Sequence, residues 1–461
     1  MGMRITIDPV TRISGFLEIR AEAEDNKIIS AEAEGLLYRG FETMLKGRAP
    51  LDAIFFNERI CGICSAAHSY ASTLALDNAL GVSVSTNDRM LRDIVHGFEY
   101  IQNHLRHFYL FAVPDFVKLS SVPIAVNQQN SDYRIPEEES KTIENNYITS
   151  IKLGQLAHEG QAVLGGKAPH NHGIFVGGVN AIIDAYKLEQ IRTITRSIND
   201  FVSTAMVNDV YTIAKYYPDY MQKGMSYPNF MSYGVFDYDD PDISYVKPGV
   251  MVNGVRYPLQ PEYITEQVVH SWFKEGSQTN EIDLTKPDAY TFIKAPRYNG
   301  LPMEVGPLAR QLISGEYNGG NSCIDRNIAR VLETVKILKI MQNLVNRIEL
   351  LPNTQKVYNI PQTAFGIGMI DTTRGSLGDW VLIENQVISK YNIITPSMWN
   401  LSPKDANGNP GVVERALIDT TLNNVNEPVE IGRIVRSFDP CVSCATHLIG
   451  GGRDKIIEVP V

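Results

Sequence analysis

Two short stretches far apart in the chain, residues 59–68 (RICGICSAAH) and residues 439–447 (DPCVSCATH), decide how the fold must close. Each contains a C-x-x-C motif followed by a histidine, and together they hold four of the five cysteines. A C-x-x-C motif places two thiols on one turn, close enough to bind one metal ion. The two motifs can form one four-sulfur site only if the fold brings the ends of the chain together.

The sulfur count alone leaves the metal open. A structural zinc site with four cysteine ligands is one interpretation, and soft thiolates also suit nickel and iron. Zinc pairs usually lie closer together in sequence, where they stabilise a small domain that lacks a core. An arginine before the first pair, Asp-Pro before the second and a histidine after each are not needed by a structural zinc ion.

The composition excludes several classes of function. With 461 residues, 44% of them hydrophobic, the chain can bury a large core. The net charge is -10 and no basic stripe is present, so nucleic-acid binding is not expected as a main role. The sequence contains no run of eighteen apolar residues, so no membrane span is predicted. The N-terminus has no signal-like apolar region, although export on a partner's signal stays compatible with this.

Periodicity predicts a helix-rich fold with small sheets. Residues 16–24 and 27–35 alternate apolar and polar positions around Asp25-Asn26, which indicates an antiparallel hairpin. Residues 381–394 also have strand character, and 217–294 are predicted to form a long irregular excursion on the surface. Apolar residues recur at helical spacing in three stretches that should pack as a bundle: 89–111, 188–201 and 324–348. The predicted class is an α-dominated α+β fold, with no linker to a second domain.

The two cysteine motifs resemble the R-x-C-G-x-C-x-x-x-H and D-P-C-x-x-C-x-x-H signatures of the large subunit of [NiFe] hydrogenases. The resemblance implies the large-subunit fold of that family as a single domain over residues 1–461, and the block at 302–310 is most similar to the respiratory uptake group. The similarity runs nearly end to end, through 7–13, 294–298, 302–310 and 396–400.

By this resemblance, the cysteines bind a nickel–iron centre that cleaves H2 heterolytically and reversibly. Cys61 and Cys441 would be terminal ligands of nickel, and Cys64 and Cys444 would bridge nickel and iron. The iron would carry cyanide and carbon monoxide. Cys441 would accept the proton, because a terminal thiolate is still basic.

Further residues match family positions around this centre. Arg374 matches the arginine over the open side of the metals, and Asp439 the carboxylate that holds it. His68 resembles a hydrogen-bond donor near a bridging sulfur. Without the family, a lone arginine is more often a surface ion pair and a lone histidine a satisfied core residue.

A second metal site is implied near the C-terminus. Glu42 and His447 match side-chain ligands of a magnesium or iron ion, and the backbone carbonyl of Ile393 matches a third ligand. Oxygen ligands suit magnesium, and the imidazole leaves iron open. Taken alone, Glu42 would be a solvated charge on a helix.

Three positions depart from the family pattern. Ser14 stands where a glutamate usually takes the proton from the terminal cysteine, Asn103 where an aspartate lies near the arginine, and Thr373 where a proline precedes it. A serine can pass a proton but cannot store one at neutral pH. The sequence therefore predicts that the metal site is retained and that the proton exit is rebuilt.

The remaining cysteine, Cys323, is expected to be a buried small side chain. One cysteine cannot hold an iron–sulfur cluster, which normally takes four, so this chain should hold none. By resemblance, electrons would leave through an iron–sulfur small subunit, and from there to a membrane cytochrome or another acceptor. Membrane association through partners, with export alongside the small subunit, is one expectation, and a cytoplasmic location is the alternative. Residues 448–461 match the tail that a protease usually removes in the family.

Three other functions stay open at this point. A hydrogen sensor would keep the ligands and turn over slowly, as the changed residues Ser14 and Asn103 allow. A non-catalytic relative in a quinone-reducing complex would have lost cysteines, and all four are present. A zinc-stabilised structural protein would bind zinc alone.

Overall fold

The computed structural model describes residues 3–122, 131–276, 280–351 and 356–445. Thr446, His447 and the predicted tail at 448–461 therefore lie outside the described residues. The helices are α1 (Phe41–Leu45), α2 (Asp52–Asn57), α3 (Ser65–Leu80), α4 (Thr86–Arg106), α5 (Val113–Phe116), α6 (Glu137–Gly165), α7 (Ala185–Phe201), α8 (Val207–Tyr216), α9 (Pro307–Ser314), α10 (Cys323–Arg347), α11 (Pro396–Asn400), α12 (Val412–Leu417), α13 (Val429–Ser437) and α14 (Val442–Ala445).

The strands form small antiparallel sheets of two or three strands at the margin of the helices. They are β1 (Met3–Ile7), β2 (Leu17–Glu24), β3 (Lys27–Gly35), β4 (Ile174–Phe175), β5 (Gly178–Val179), β6 (Asn229–Ser232), β7 (Gly249–Val252), β8 (Val255–Pro258), β9 (Ile264–Gln267), β10 (Ala295–Tyr298), β11 (Thr363–Thr372), β12 (Gly375–Glu384) and β13 (Val387–Ile394).

The long helices pack around α10, as their apolar stripes predict. Helix α4 lies against α6 and α10, and α7 also packs on α6 and α10. Ser322 begins α10 with a capping box, because its hydroxyl accepts from the Asp325 N–H while the Asp325 carboxylate accepts from the Ser322 N–H. Helix α4 does not stop in solvent but continues through a π-helical segment, His107–Ala112, into α5. Such π segments often occur at functional sites.

The N-terminal hairpin forms as predicted. Strands β2 and β3 pair antiparallel, and β1 adds to the outer edge of β2. Asp25 and Asn26 both have positive φ, 48° and 63°, as a tight turn between twisted strands requires.

Helix α3 lies on the sheet β11–β12–β13 at unusually close range. A Cβ atom on Gly368 would stand 2.1 Å from the carbonyl oxygen of Ala71, and one on Gly366 would stand 2.1 Å from that of Ala75. Only glycine lets the strand backbone approach the helix backbone so closely. This contact fixes the distance between α3 and the sheet. The first turn of α3 directly follows Cys64.

The prediction that residues 217–294 lie on the surface is wrong for part of the segment. Strand β6 is buried throughout, and Met231, Tyr233 and Val250 pack in a core cluster with Trp399 and Ile394. The physical reason is that its short strands pair with each other and thereby satisfy their backbone groups, so that apolar side chains can be buried. In the described part of the chain, helices with the length and hydropathy of a membrane span are absent.

Candidate metal centre

The first cysteine pair lies at the start of helix α3. Cys64 occupies the position before the helix, and its side chain does not cap the exposed N–H groups. The carboxylate of Glu99, on α4, accepts those hydrogen bonds instead, from the N–H of Ala66 at 2.7 Å and of Ala67 at 3.0 Å. Glu99 is buried, and burial raises its pKa to about 8. Glu99 therefore fixes α3 relative to α4 directly beside Cys64.

The second cysteine pair follows helix α13 and is attached to the N-terminal segment. The Ser14 N–H donates to the carbonyl of Pro440 at 3.1 Å, and the Val442 N–H donates to the carbonyl of Ser14 at 2.7 Å. The Ser397 hydroxyl accepts from the Cys441 N–H at 3.0 Å. These bonds position Cys441 from two distant parts of the chain.

Arg39 joins the two cysteine motifs directly. Its Nη2 atom donates to the carbonyl of Ile60, next to Cys61, and to the carbonyl of Ser443, between the second pair. One guanidinium therefore bridges both motifs, a contact that neither motif predicts.

The four thiols converge in one buried cluster. The sulfur atoms of Cys61 and Cys441 are 3.4 Å apart, those of Cys64 and Cys444 are 3.4 Å apart, and all four lie within 4.8 Å of one another. Burial disfavours a thiolate, but hydrogen bonds from the other three thiols and the charge of Arg374 lower the pKa of Cys441 well below its usual range. Four sulfurs that converge in a buried space fit a soft metal centre.

A buried cation, Arg374, lies close to this cluster. Arg374 Nε donates to the carbonyl of Asp439 at 2.8 Å, and its Nη2 lies 3.0 Å from the Asp439 carboxylate. Asn103 Oδ1 accepts from Arg374 Nη2 at 2.9 Å, and Asn103 Nδ2 donates to Asp439 Oδ2 at 2.7 Å. Within the described residues, Arg374 Nη1 has no hydrogen-bond partner although the side chain is only 2% exposed. A buried donor of this kind is suited to a ligand on the metals.

Ser14 and His68 both lie near Cys441. The Ser14 hydroxyl is 3.5 Å from the sulfur of Cys441. His68 is buried, and burial lowers its pKa to about 4, so its ring is neutral at pH 7. Its Nδ1 atom has no partner among the described residues.

Glu42 is buried and not a solvated charge. Its carboxylate accepts from the Ile393 N–H at 2.9 Å, lies 3.3 Å from Lys294 Nζ and accepts from Asn280. Glu266 lies 3.6 Å from the same ammonium group. The structure thus brings Glu42 next to the backbone of Ile393, while His447 is outside the described residues.

The family profile described as "Nickel-dependent hydrogenase" matches residues 39–131, 125–322 and 315–447. The chain belongs to the nickel-dependent hydrogenase family.

Similar proteins cover the chain almost completely. The periplasmic [NiFeSe] hydrogenase large subunit of Desulfomicrobium baculatum is 32% identical over 99% of this chain and 98% of that protein. The uptake hydrogenase large subunit of Rhizobium leguminosarum bv. viciae is 28% identical over 100% of this chain and 98% of that protein. The reduced Ni-Fe-Se hydrogenase of D. vulgaris Hildenborough superposes with a TM-score of 0.92 at 35% identity, covering 97% of this chain and 100% of that one.

The predicted family, fold class and enzyme class are confirmed by these similarities. This nickel-dependent hydrogenase is an oxidoreductase that acts on H2, and its four cysteines are placed to bind the nickel–iron centre. A structural zinc protein is therefore excluded.

The sequence motifs do not predict several residues that the hydrogenase fold brings to the cysteine cluster or to Glu42. Glu99 and Arg106 lie on the same face of α4 as Asn103, at helical spacings of four and three, and this spacing could have indicated them. Arg39 and Lys294 gave no such signal, because their partners are distant in sequence.

Proposed function

We propose that Cys61 and Cys441 are terminal nickel ligands, that Cys64 and Cys444 bridge nickel and iron, and that the iron carries cyanide and carbon monoxide. The observation that carries this proposal is the cluster of four buried sulfurs close to Arg374, whose Nη1 atom has no hydrogen-bond partner among the described residues. When bound, the centre supplies the Lewis acidity that polarises H2 for heterolytic cleavage.

The protein's own residues then bind, orient and move the proton. Cys441 accepts it, because a terminal thiolate is still basic and the Ser14 hydroxyl lies 3.5 Å from its sulfur. Arg374 presents a fixed positive charge and a donor, and Asp439 holds that guanidinium in place. His68 stays neutral and adds no charge. Ser14 passes the proton onward from the Cys441 sulfur.

A hydrogen sensor is the alternative function within this family. In both functions Asn103 would hold Arg374 and Asp439, because its amide bonds both side chains. Turnover with an electron acceptor separates the two functions.

We also propose a magnesium or iron ion bound by Glu42, the Ile393 carbonyl and His447. The burial of Glu42 beside the backbone of Ile393 supports this, and Lys294 would balance the charge of the carboxylates around it. A hard cation prefers such oxygen ligands.

We propose that this chain forms a single domain over residues 1–461. The proposed partner that binds it is a small subunit with iron–sulfur clusters. Cys323 donates to the carbonyl of Arg433 and its pKa is raised to about 12 by burial, so it is an inert thiol. Among the described residues, the four cysteines of the centre are the one group arranged to hold a metal. We propose that this complex reaches a membrane through its partners, with a cytoplasmic complex as the alternative.

The test is metal analysis and infrared spectroscopy on the protein purified with its native partner. The expected result is nickel and iron together with absorption bands of cyanide and carbon monoxide. Zinc alone, or no metal and no such bands, would overturn the proposed centre in this form of the protein. Metal content of a Glu42→Gln variant tests the second ion, which should be lost while nickel is retained.

A further inference from the structure

A second guanidinium group, that of Arg106, reaches the metal centre from helix α4. Its Nη2 atom donates to Asn103 Oδ1 at 2.9 Å, the oxygen that also accepts from Arg374 Nη2 at 2.9 Å. The amide nitrogen of Asn103 donates to Asp439. One amide group therefore links two cations to one carboxylate.

An amide suits this position better than an acid. The amide oxygen has two lone pairs, one for each guanidinium, and the amide N–H groups can donate to Asp439. A carboxylate at position 103 would place a negative charge 2.7 Å from the Asp439 oxygen, where Asn103 now donates. The neutral residue and the additional cation are thus parts of one arrangement.

A helix-capping role does not account for Arg106. A basic residue in the last turn of a helix usually interacts with its unpaired carbonyl groups. Here the chain continues helically through His107–Ala112, and the carbonyl of Asn103 already accepts from the His107 N–H. Arg106 Nε has no hydrogen-bond partner in the described part of the chain. Burial and the charge of Arg374 lower the pKa of Arg106, whereas Asp439 and the thiols of Cys61 and Cys64 raise it.

We propose that Arg106 is a positioning residue of the metal centre, which orients Arg374 through Asn103 and adds a second positive charge beside the thiolates. This inference rests on the proposed nickel–iron centre. A fixed positive charge stabilises an added electron, so Arg106 holds the reduction potential of the centre at a higher value. Because Asn103 Oδ1 accepts from both guanidiniums, Arg106 also helps to hold the guanidinium of Arg374 in its orientation.

The test is an infrared-monitored redox titration of the metal-loaded complex with its partner, for wild type and Arg106→Gln. The variant should shift the midpoint potential of the centre to more negative values and displace the cyanide bands. Arg347→Gln is the matched control, because Arg347 is also partly buried near a helix end and hydrogen-bonds one turn back, to the Asn343 carbonyl. The control should leave both readouts unchanged.

If Arg106→Gln behaves like the control in both readouts, the inference is wrong while the nickel–iron centre stands. If wild type shows no cyanide bands, the proposed centre fails and the inference fails with it. Should Arg106→Gln not assemble, Arg106→Lys keeps the charge but loses the planar fork. That variant should keep the wild-type potential and still displace the bands, and unmoved bands would overturn the role of Arg106.

Discussion

At the scale of single residues, the centre combines a retained ligand set with a changed proton acceptor. The Ser14 hydroxyl lies 3.5 Å from the Cys441 sulfur, within reach of a proton but unable to hold one. On the proposed route, a proton released at Cys441 would pass through Ser14 without a stable resting place there. This makes the rate of proton exit sensitive to the loss of one oxygen atom.

Replacing Ser14 by alanine should slow exchange between H2 and deuterated solvent about tenfold, because exchange requires proton exit. Conversion of para to ortho hydrogen needs only cleavage at the centre and should stay near the wild-type rate. Ser314→Ala removes a hydroxyl that bonds only within its own helix and serves as the control. Wild-type rates of both reactions in Ser14→Ala would remove Ser14 from the route.

Replacing Asp439 by asparagine should lower H2 oxidation by about 10- to 100-fold, because Arg374 loses its buried counter-charge. Activity per nickel is the measurement, so that loss of metal is counted separately. Asp240→Asn removes the carboxylate of a partly exposed pair with Arg347 and should have little effect. Equal activity in the two variants would show that Asp439 does not position Arg374.

At the scale of elements, the strand–helix contact beneath the centre is fixed by glycines. Replacing Gly368 by alanine should displace α3 and with it Cys64, because the added Cβ would stand 2.1 Å from the Ala71 carbonyl. We expect a lower melting temperature and less bound nickel than in wild type. Gly154→Ala is the control, since a Cβ at that helical position meets no atom within 4 Å, and alanine there should stabilise α6 by up to about 1 kcal/mol. Full nickel occupancy in Gly368→Ala would contradict the positioning role of this contact.

The elements also show how far the sequence predicts this structure. Helices α4 and α10 and the β2–β3 hairpin were predictable, because their signals are periodic and local. The buried strand β6 was not, because its burial depends on pairing with β7 and packing against Trp399. Within the site, the cysteines were predictable because each motif is local. The bridge by Arg39 was not, because its partners lie in other elements. The spacing of Glu99 from Asn103 indicates the residue but not its hydrogen bonds to α3.

At the scale of the whole molecule, ion pairs between side chains connect the N-terminal segment with helix α13. Arg12 from the N-terminal segment and Arg436 from α13 both bind the carboxylate of Asp115, at 2.5 and 2.6 Å. Burial alone would raise the pKa of Asp115, but the two guanidiniums lower it to about 2. This ion cluster stands next to the segment that carries Ser14.

The stability that comes from Asp115 should depend on pH. The pKa of an aspartate in the unfolded chain is about 3.9, higher than the value in the folded protein. The contribution, about 2 to 3 kcal/mol, is therefore complete above that pH and is lost as the pH falls from about 4 towards 2. Asp115→Asn should melt below wild type at pH 7, and the difference should shrink below pH 4. A difference independent of pH would contradict this assignment.

Electron exit should require the partner. The four sulfurs are buried, so a soluble dye cannot contact the centre directly. A metal-loaded large subunit without its partner should therefore exchange H2 with deuterated solvent but reduce no dye, whereas the complex should do both. Dye reduction by the isolated chain at the rate of the complex would show that another electron route exists.

The hydrogen bonds between Ser14 and the backbone on either side of Cys441 have a consequence for biosynthesis. A ribosome makes the first cysteine pair well before the second, because 380 residues separate Cys61 from Cys441. The Ser14 segment and Arg39 cannot form hydrogen bonds with residues 440–443 until those residues have left the ribosomal exit tunnel. Nickel that is held by all four sulfurs can therefore be enclosed only after elongation has passed this segment.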